Sequence, residues 1–180
     1  MFLKPANKLK RAKELTYDTP VLASNLAAVK KKILVVDDDP QIRESLGKLM
    51  RAEGYEVAMA ADGQEGIEIF DTTRIDLVLL DINLPGNSGW EIFGALTSSN
   101  PFLPIIIITG RENQHDLATL AGVGALMEKP LNVPLLLKII AELIAEESET
   151  HLKRLAGLRR DLRYVPPAHH HNVQLIKNSR

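Results

Sequence analysis

Cysteine is absent from this chain of 180 residues, and its absence excludes disulfide bonds and thiolate metal ligands. Long apolar runs are also absent, since none approaches the roughly 18 residues that a membrane-spanning helix needs. Residues 1–31 carry lysines but no apolar stretch followed by a small-residue cleavage site, so a secretory signal is not predicted. Because 45% of the residues are hydrophobic, the chain can bury a core, and we expect a soluble cytoplasmic protein.

The net charge of −1 conceals three segments of different character. Residues 32–150 contain 8 lysines and arginines against 20 acidic residues, whereas residues 1–31 contain 7 against 2 and residues 151–180 contain 7 against 1. We therefore predict a basic N-terminal extension over 1–31 and a globular domain over 32–148. Residues 149–180 are predicted to form a basic amphipathic helix and a disordered tail.

Short apolar runs alternate with helical periodicity throughout the acidic part of the chain. The runs at 33–36, 77–80 and 105–108 are continuously apolar, which is typical of strands buried on both faces of a parallel sheet. Residues 55–59 alternate and predict an edge strand, and 124–127 predict a short fifth strand. Five strands alternating with five helices predict an α/β protein with a doubly wound parallel sheet.

Polar residues follow these strands at the points where they end. Asp37 and Asp38 follow the first strand, Asp81 the third, Thr109 the fourth and Lys129 the fifth. Because the carboxyl ends of parallel strands share one edge of the sheet, where such sheets bind ligands, we expect these side chains to converge.

This set of residues has a defined chemistry. Three clustered carboxylates repel one another unless a hard cation joins them, and oxygen ligands without His or Cys favour Mg²⁺ or Mn²⁺. A lysine and a hydroxyl beside a carboxylate nucleophile are suited to a phosphoryl group. We therefore interpret Asp81 as the reactive residue.

Four motifs at this spacing resemble one known family, the receiver domain of two-component response regulators in the CheY-like superfamily. They are VVDDD at 35–39, LLDINLPGNSG at 79–89, TG at 109–110 and KP at 129–130. The resemblance covers about residues 32–148 and implies a flavodoxin-like fold with strand order 2-1-3-4-5. It also implies a phosphorylation-switched signalling protein, not an enzyme with an external substrate.

The resemblance implies a role for each matching residue. Asp81 corresponds to the phosphoacceptor, which takes its phosphoryl group from a sensor histidine kinase or a phosphotransfer protein. Asp37 and Asp38 correspond to the acidic pair that binds Mg²⁺ together with Asp81, and Asn83 adds its backbone carbonyl. Lys129 corresponds to the lysine that neutralises phosphoryl charge, and Thr109 to the switch hydroxyl. Pro130 follows the lysine as in the family, where that peptide bond is commonly cis.

Two positions depart from the family pattern. An aromatic residue usually stands three residues before the lysine and couples to the switch hydroxyl, but this chain has Leu126 there. Arg111 stands two residues after Thr109, and with Asn83 it occupies the pair of positions that tunes the lifetime of the phosphoryl group in the family.

The output surface of the family lies around the last two helices and the strand between them. Apolar residues of the last domain helix cover an arc of roughly 200°, wider than the ~100° stripe of a surface helix. Either a second subunit or the C-terminal tail is expected to cover the excess. A homodimer would use Leu135, Leu136, Ile139, Ile140 and Leu143.

The C-terminal part has leucines at 152, 155, 158 and 162 among basic residues, which predicts an amphipathic helix ended by Pro166. Packing on its own domain or on a partner subunit is favoured over nucleic-acid or membrane-surface binding. About thirty residues are too few for a helix-turn-helix or winged-helix output domain, so we expect a downstream protein target. His169, His170 and His171 are interpreted as a tag remnant or a natural tail, because adjacent imidazoles lack convergent geometry.

A hydrolase is the alternative from another class. Mg²⁺-dependent enzymes of the haloacid-dehalogenase superfamily also form an aspartyl phosphate, but they place a second acid two residues after the nucleophile. In this chain that position holds Asn83, and the acid pair lies on another strand.

Overall fold

The computed structural model describes residues 30–86, 88–110, 114–156, 158 and 162–168. Six parallel strands form one sheet in the order β2-β1-β3-β4-β5-β6. The strands are β1 (Lys32–Val36), β2 (Glu56–Ala60), β3 (Leu77–Asp81), β4 (Ile105–Thr109), β5 (Ala125–Glu128) and β6 (Arg163–Val165).

Six helices connect or follow these strands and cover both faces of the sheet. They are α1 (Pro40–Ala52), α2 (Gly63–Thr72), α3 (Gly89–Ser99), α4 (His115–Leu120), α5 (Val133–Ile144) and α6 (Ser148–Leu155). Side chains of α1 and α5 share one core cluster, and those of α2, α3 and α4 share the cluster on the opposite face. The flavodoxin-like fold and the position of β2 at an edge are therefore confirmed.

Capping residues fix where the loops end and the helices begin. Asp39 is the N-cap of α1, and its carboxylate accepts hydrogen bonds from the backbone N–H groups of Gln41 and Ile42. Asn132 caps α5 in the same way through the N–H of Leu135. Because α1 and α5 begin just after β1 and β5, these caps set the loops that carry Asp37 and Lys129.

The predicted strand count was one too low. Arg163–Val165 pairs in parallel with β5, opposite Ala125, Leu126 and Met127, and adds a sixth strand beyond the expected order. The predicted helix through Leu162 is wrong at residues 156, 158 and 162, which lie outside α6, while residues 157 and 159–161 fall outside the described residues. The edge of β5 offers hydrogen-bond partners that the leucine spacing cannot reveal, and the sheet therefore extends past the expected boundary at residue 148.

The predicted dimer surface on the last domain helix is also wrong for four of the five residues named, and for the partly buried Leu135 it stays a prediction. Leu136, Ile139, Ile140 and Leu143 are at most 3% exposed within a single chain, and Leu135 packs against the same core. Val165 of β6 joins that cluster at 4% exposure. A second subunit or the C-terminal tail was expected to cover the wide apolar arc of this helix. In the structure, Val165 of the C-terminal tail packs there.

Several predictions fall outside the described residues. The extension over 1–29, Arg111 and the histidines at 169–171 belong to this group. Within the described ranges, no helix combines the length and the apolar character that crossing a membrane requires.

Candidate functional site at the carboxyl edge of the sheet

Two buried carboxylates meet at the carboxyl edge of the sheet. Asp81 is the last residue of β3 and is 3% exposed, and Asp37 directly follows β1 and is 2% exposed. The neighbouring strands bring them together with the exposed Asp38. One carboxylate oxygen from each of these residues lies within 4.8 Å of the other two.

Lys129 joins the two buried carboxylates. Its Nζ atom lies 3.0 Å from Asp37 Oδ2 and 2.5 Å from Asp81 Oδ2. Burial opposes the charged ammonium, but the hydrogen bonds and charges of Asp81 and Asp37 outweigh it and raise the pKa of Lys129. Burial also raises the pKa of Asp37, and the contact with Lys129 only partly opposes this.

Backbone groups orient the carboxylates. Asp37 Oδ1 accepts the N–H of Asp39 at 2.9 Å, and Asp81 Oδ1 accepts the N–H of Asn83 at 2.7 Å. Arg43 of α1 donates from Nη1 to the Asp37 carbonyl at 2.6 Å. Arg43 was not among the predicted site residues, although its position on the first turn of α1 after an acidic loop was the available signal.

Thr109 and Asn83 complete the rim of the site. Thr109 ends β4 and is fully buried, and its carbonyl accepts the N–H of Lys129 at 2.8 Å. Asn83 Oδ1 is buried and has no hydrogen-bond partner among the residues that the structure describes. Because an unsatisfied buried polar atom is costly, this amide oxygen points to a ligand that the site can hold.

The loop after Asp81 depends on Gly89, the last residue of the motif at 79–89. A Cβ atom on Gly89 would lie 2.3 Å from the Cα atom of Ile82, and the N–H of Gly89 reaches the Ile82 carbonyl at 3.4 Å. The start of α3 therefore packs directly on the backbone between Asp81 and Asn83, and only glycine fits there.

The residues that depart from the family pattern are only partly described. Leu126 is fully buried in the core formed with α2, α3 and α4, and it has no polar group to offer the site. Arg111 lies outside the described residues, so its role stays a prediction.

An apolar groove opens beside the site. It has a volume of about 620 Å³ and lies between α1 and the segment that follows Lys129. Its walls are Ile42, Leu46, Leu49, Pro130, Leu131 and Val133, and Asp39 and Lys129 form its border with the acidic residues.

The donor set fits a hard divalent cation. Three carboxylates provide only oxygen ligands, which is the chemistry that Mg²⁺ prefers. The fold and this site together define a class: a parallel α/β protein with an acidic, lysine-bridged site at the carboxyl ends of its strands.

Comparison with known proteins narrows this class to one family. The sequence model of the response regulator receiver domain matches residues 33–141, more than half of the chain. The chain belongs to the response regulator receiver domain family, which confirms the expectation from its motifs. It is therefore a signalling domain of the two-component type.

Solved structures and curated relatives agree with this assignment. A CheY-like receiver domain protein from Methanospirillum hungatei JF-1 is 34% identical, with a TM-score of 0.62 over 67% of this chain and 98% of that one. TrrA from Thermotoga maritima, solved in complex with Mg(2+)-BeF, is 37% identical, with a TM-score of 0.59 over 63% of this chain and 98% of that one.

Two curated relatives are longer than the matched region. Response regulator MprA of Mycobacterium sp. (strain KMS) is 36% identical over 119 residues, which are 65% of this chain and 52% of MprA. Transcriptional regulatory protein GlrR of Escherichia coli (strain K12) is 30% identical over 118 residues, 64% of this chain and 27% of GlrR. The chain thus spans about a quarter to a half of their length.

Proposed function

We propose that this protein accepts a phosphoryl group on Asp81 in a Mg²⁺-dependent reaction and passes its phosphorylation state to a downstream protein. The observation that carries the proposal is the contact of the Asp81 carboxylate with Lys129 inside a cluster of carboxylate oxygens. The Thermotoga protein with bound Mg(2+)-BeF supports it, because its sequence is 37% identical to this chain.

The transfer is a displacement at phosphorus. A carboxylate oxygen of Asp81 attacks the phosphoryl group of a phosphohistidine, an O–P bond forms, the N–P bond breaks, and the imidazole leaves with the electron pair. Lys129 supplies positive charge, and the Thr109 hydroxyl is a donor for the phosphoryl oxygens. Asp37, Asp38, Asp81 and the Asn83 carbonyl would hold Mg²⁺, which when bound neutralises charge on the phosphoryl oxygens.

The donor is a sensor histidine kinase or a phosphotransfer protein in the cytoplasm. The donor protein would bind in the groove between α1 and residues 130–133. This apolar surface supports such binding because it ends at Asp39 and Lys129, next to the site. Ser45 on α1 also lines this groove, and Ser45→Tyr would fill it. We expect this variant to slow transfer from a phosphohistidine protein and to leave phosphorylation by acetyl phosphate unchanged.

Mass spectrometry tests the proposal directly. Wild-type protein treated with acetyl phosphate and Mg²⁺ should gain the mass of one phosphoryl group, and Asp81→Asn should not. Asp71→Asn is the matched control, because Asp71 is exposed in the last turn of α2, which leads into the start of β3, whereas Asp81 lies at the end of that strand. An adduct that persists in Asp81→Asn would refute the assignment.

A hydrolase of the haloacid-dehalogenase type remains the second candidate, because it would use the same nucleophile and cation. Steady release of phosphate from a generic phosphoester over many turnovers would favour it. We expect no such turnover, because Asn83 cannot act as the second acid that those enzymes place two residues after the nucleophile.

A further inference from the structure

The C-terminal segment, residues 162–168, holds the chain on both sides of Lys129. The Tyr164 hydroxyl donates to Glu128 Oε1 at 2.9 Å, and the Ala168 N–H donates to the Pro130 carbonyl at 2.8 Å. Glu128 and Pro130 are the residues immediately before and after Lys129. The residues flanking the lysine of the site are therefore both bonded to one segment that is distant in sequence.

This C-terminal segment is itself fixed to the rest of the domain. Val165 is 4% exposed in the core, and β6 pairs with β5 along its length. Arg163 Nε lies 3.3 Å from Oε2 of Glu142 on α5, and its Nη2 lies 3.7 Å from Oε1 of Glu146, which follows that helix. The segment can therefore act as a fixed support for the loop that it contacts.

Lys129 needs such a support because β5 ends before it. The strand stops at Glu128 and α5 starts at Val133, so Lys129 lies on a connection between them. The N–H of Lys129 is tied to the Thr109 carbonyl, but its ammonium must stay between two carboxylates. Functional groups usually need placement within about 0.5 Å, which requires neighbours that lock them.

We propose that the C-terminal segment positions Lys129 for phosphoryl transfer at Asp81, with Tyr164 as the main positioning residue. The inference rests on the proposed function. It assigns a role to a part of the chain that lies beyond the receiver match at residues 33–141. Tyr164 also packs edge-to-face on His115 of α4, with ring centroids 5.4 Å apart, so its ring is held independently of its hydroxyl.

The first test removes the hydroxyl and keeps the ring. Tyr164→Phe should lower the initial rate of Asp81 phosphorylation by acetyl phosphate and Mg²⁺ by about two- to tenfold, the value of one hydrogen bond. Tyr55→Phe is the matched control, because Tyr55 precedes β2 at the opposite end of the sheet. That variant should retain the wild-type rate.

A double-mutant cycle distinguishes positioning of Lys129 from a general structural effect. If Tyr164 acts through Lys129, Tyr164→Phe should cause no further loss of rate in a Lys129→Ala background. An equal loss in both backgrounds would overturn the proposal.

Amide hydrogen exchange gives a readout that does not depend on activity. Tyr164→Phe and Ala168→Pro, which removes the N–H donor, should each speed exchange of the Lys129 amide at least about twofold while β1 and β3 stay protected. Ala168→Ser keeps the N–H and should exchange like wild type. Unchanged exchange at Lys129 in both variants would refute the inference. Failure of wild-type protein to become phosphorylated would instead refute the proposed function.

Discussion

Lys129 Nζ and Asp81 Oδ2 lie 2.5 Å apart, and the same ammonium lies 3.0 Å from Asp37 Oδ2. Both carboxylates are almost fully buried, so the lysine is the cation that compensates them in the absence of a metal. This contact joins the ends of β1, β3 and β5 into one site and makes folding stability depend on the charges of the site.

The first prediction concerns the compensation of the Asp37 and Asp81 charges by Lys129. Lys129→Met should lower the free energy of unfolding by about 2–4 kcal/mol without metal, because it leaves two buried carboxylates close together. Millimolar Mg²⁺ should raise the free energy of unfolding more in the variant than in wild type, since the cation takes over the role of the ammonium. Urea unfolding with and without Mg²⁺ measures both effects, and equal Mg²⁺ stabilisation of the two proteins would contradict the prediction.

The second prediction concerns Gly89. Gly89→Ala should destabilise the protein by roughly 1–3 kcal/mol, because its Cβ atom would collide with the backbone of Ile82. Gly94→Ala is the matched control in the same helix, where an added Cβ meets nothing within 4 Å. Helix propensity should make that control more stable by roughly 0.5–1 kcal/mol. Thermal unfolding of both variants checks the difference, and similar values for the two would count against it.

The third prediction concerns Asp76 and pH. Burial opposes ionisation of Asp76, but hydrogen bonds from the Lys32 N–H at 2.9 Å and Lys31 Nζ at 3.0 Å outweigh it and lower its pKa. A lowered folded-state pKa contributes stability above the unfolded value of 3.8, and this is lost as the pH falls through the folded-state pKa.

Asp76→Asn should therefore cost about 1–2 kcal/mol at neutral pH, and the difference from wild type should shrink below about pH 4. Urea unfolding across this pH range measures it. Asp71→Asn, at an exposed position on α2, should leave the free energy of unfolding close to that of wild type. A constant difference between Asp76→Asn and wild type at every pH would exclude the mechanism.

The fourth prediction concerns the sixth strand. Val165→Ala should lower the free energy of unfolding by about 1–2 kcal/mol, because it removes buried methyl groups from the core beside α5. Leu158→Ala should have almost no effect, because Leu158 is 78% exposed. Chemical unfolding measures both changes. If residues up to 162 formed an amphipathic helix instead, Leu158→Ala would lower the free energy of unfolding more than Val165→Ala.

The site was largely predictable because its residues lie at the ends of strands that the sequence marks clearly. Apolar runs identify β1, β3 and β4, and the rules for parallel sheets bring Asp37, Asp81 and Lys129 to one edge without knowledge of any contact. Arg43 and Gly89 were missed as contributors because their roles depend on a backbone carbonyl and a backbone carbon that come close only after folding.

Sequence patterns were sufficient to predict the parallel α/β architecture and the acidic edge of the sheet, because these depend on local periodicity and on the chirality of βαβ connections. Only the folded structure shows that residues 163–165 form a strand, that Val165 packs beside α5, and that the C-terminal segment is hydrogen-bonded to Glu128 and Pro130. Leucine spacing favoured a helix there, but the edge of β5 supplied hydrogen-bond partners and the core supplied a place for Val165. Those partners are distant in sequence, so no local pattern could reveal them.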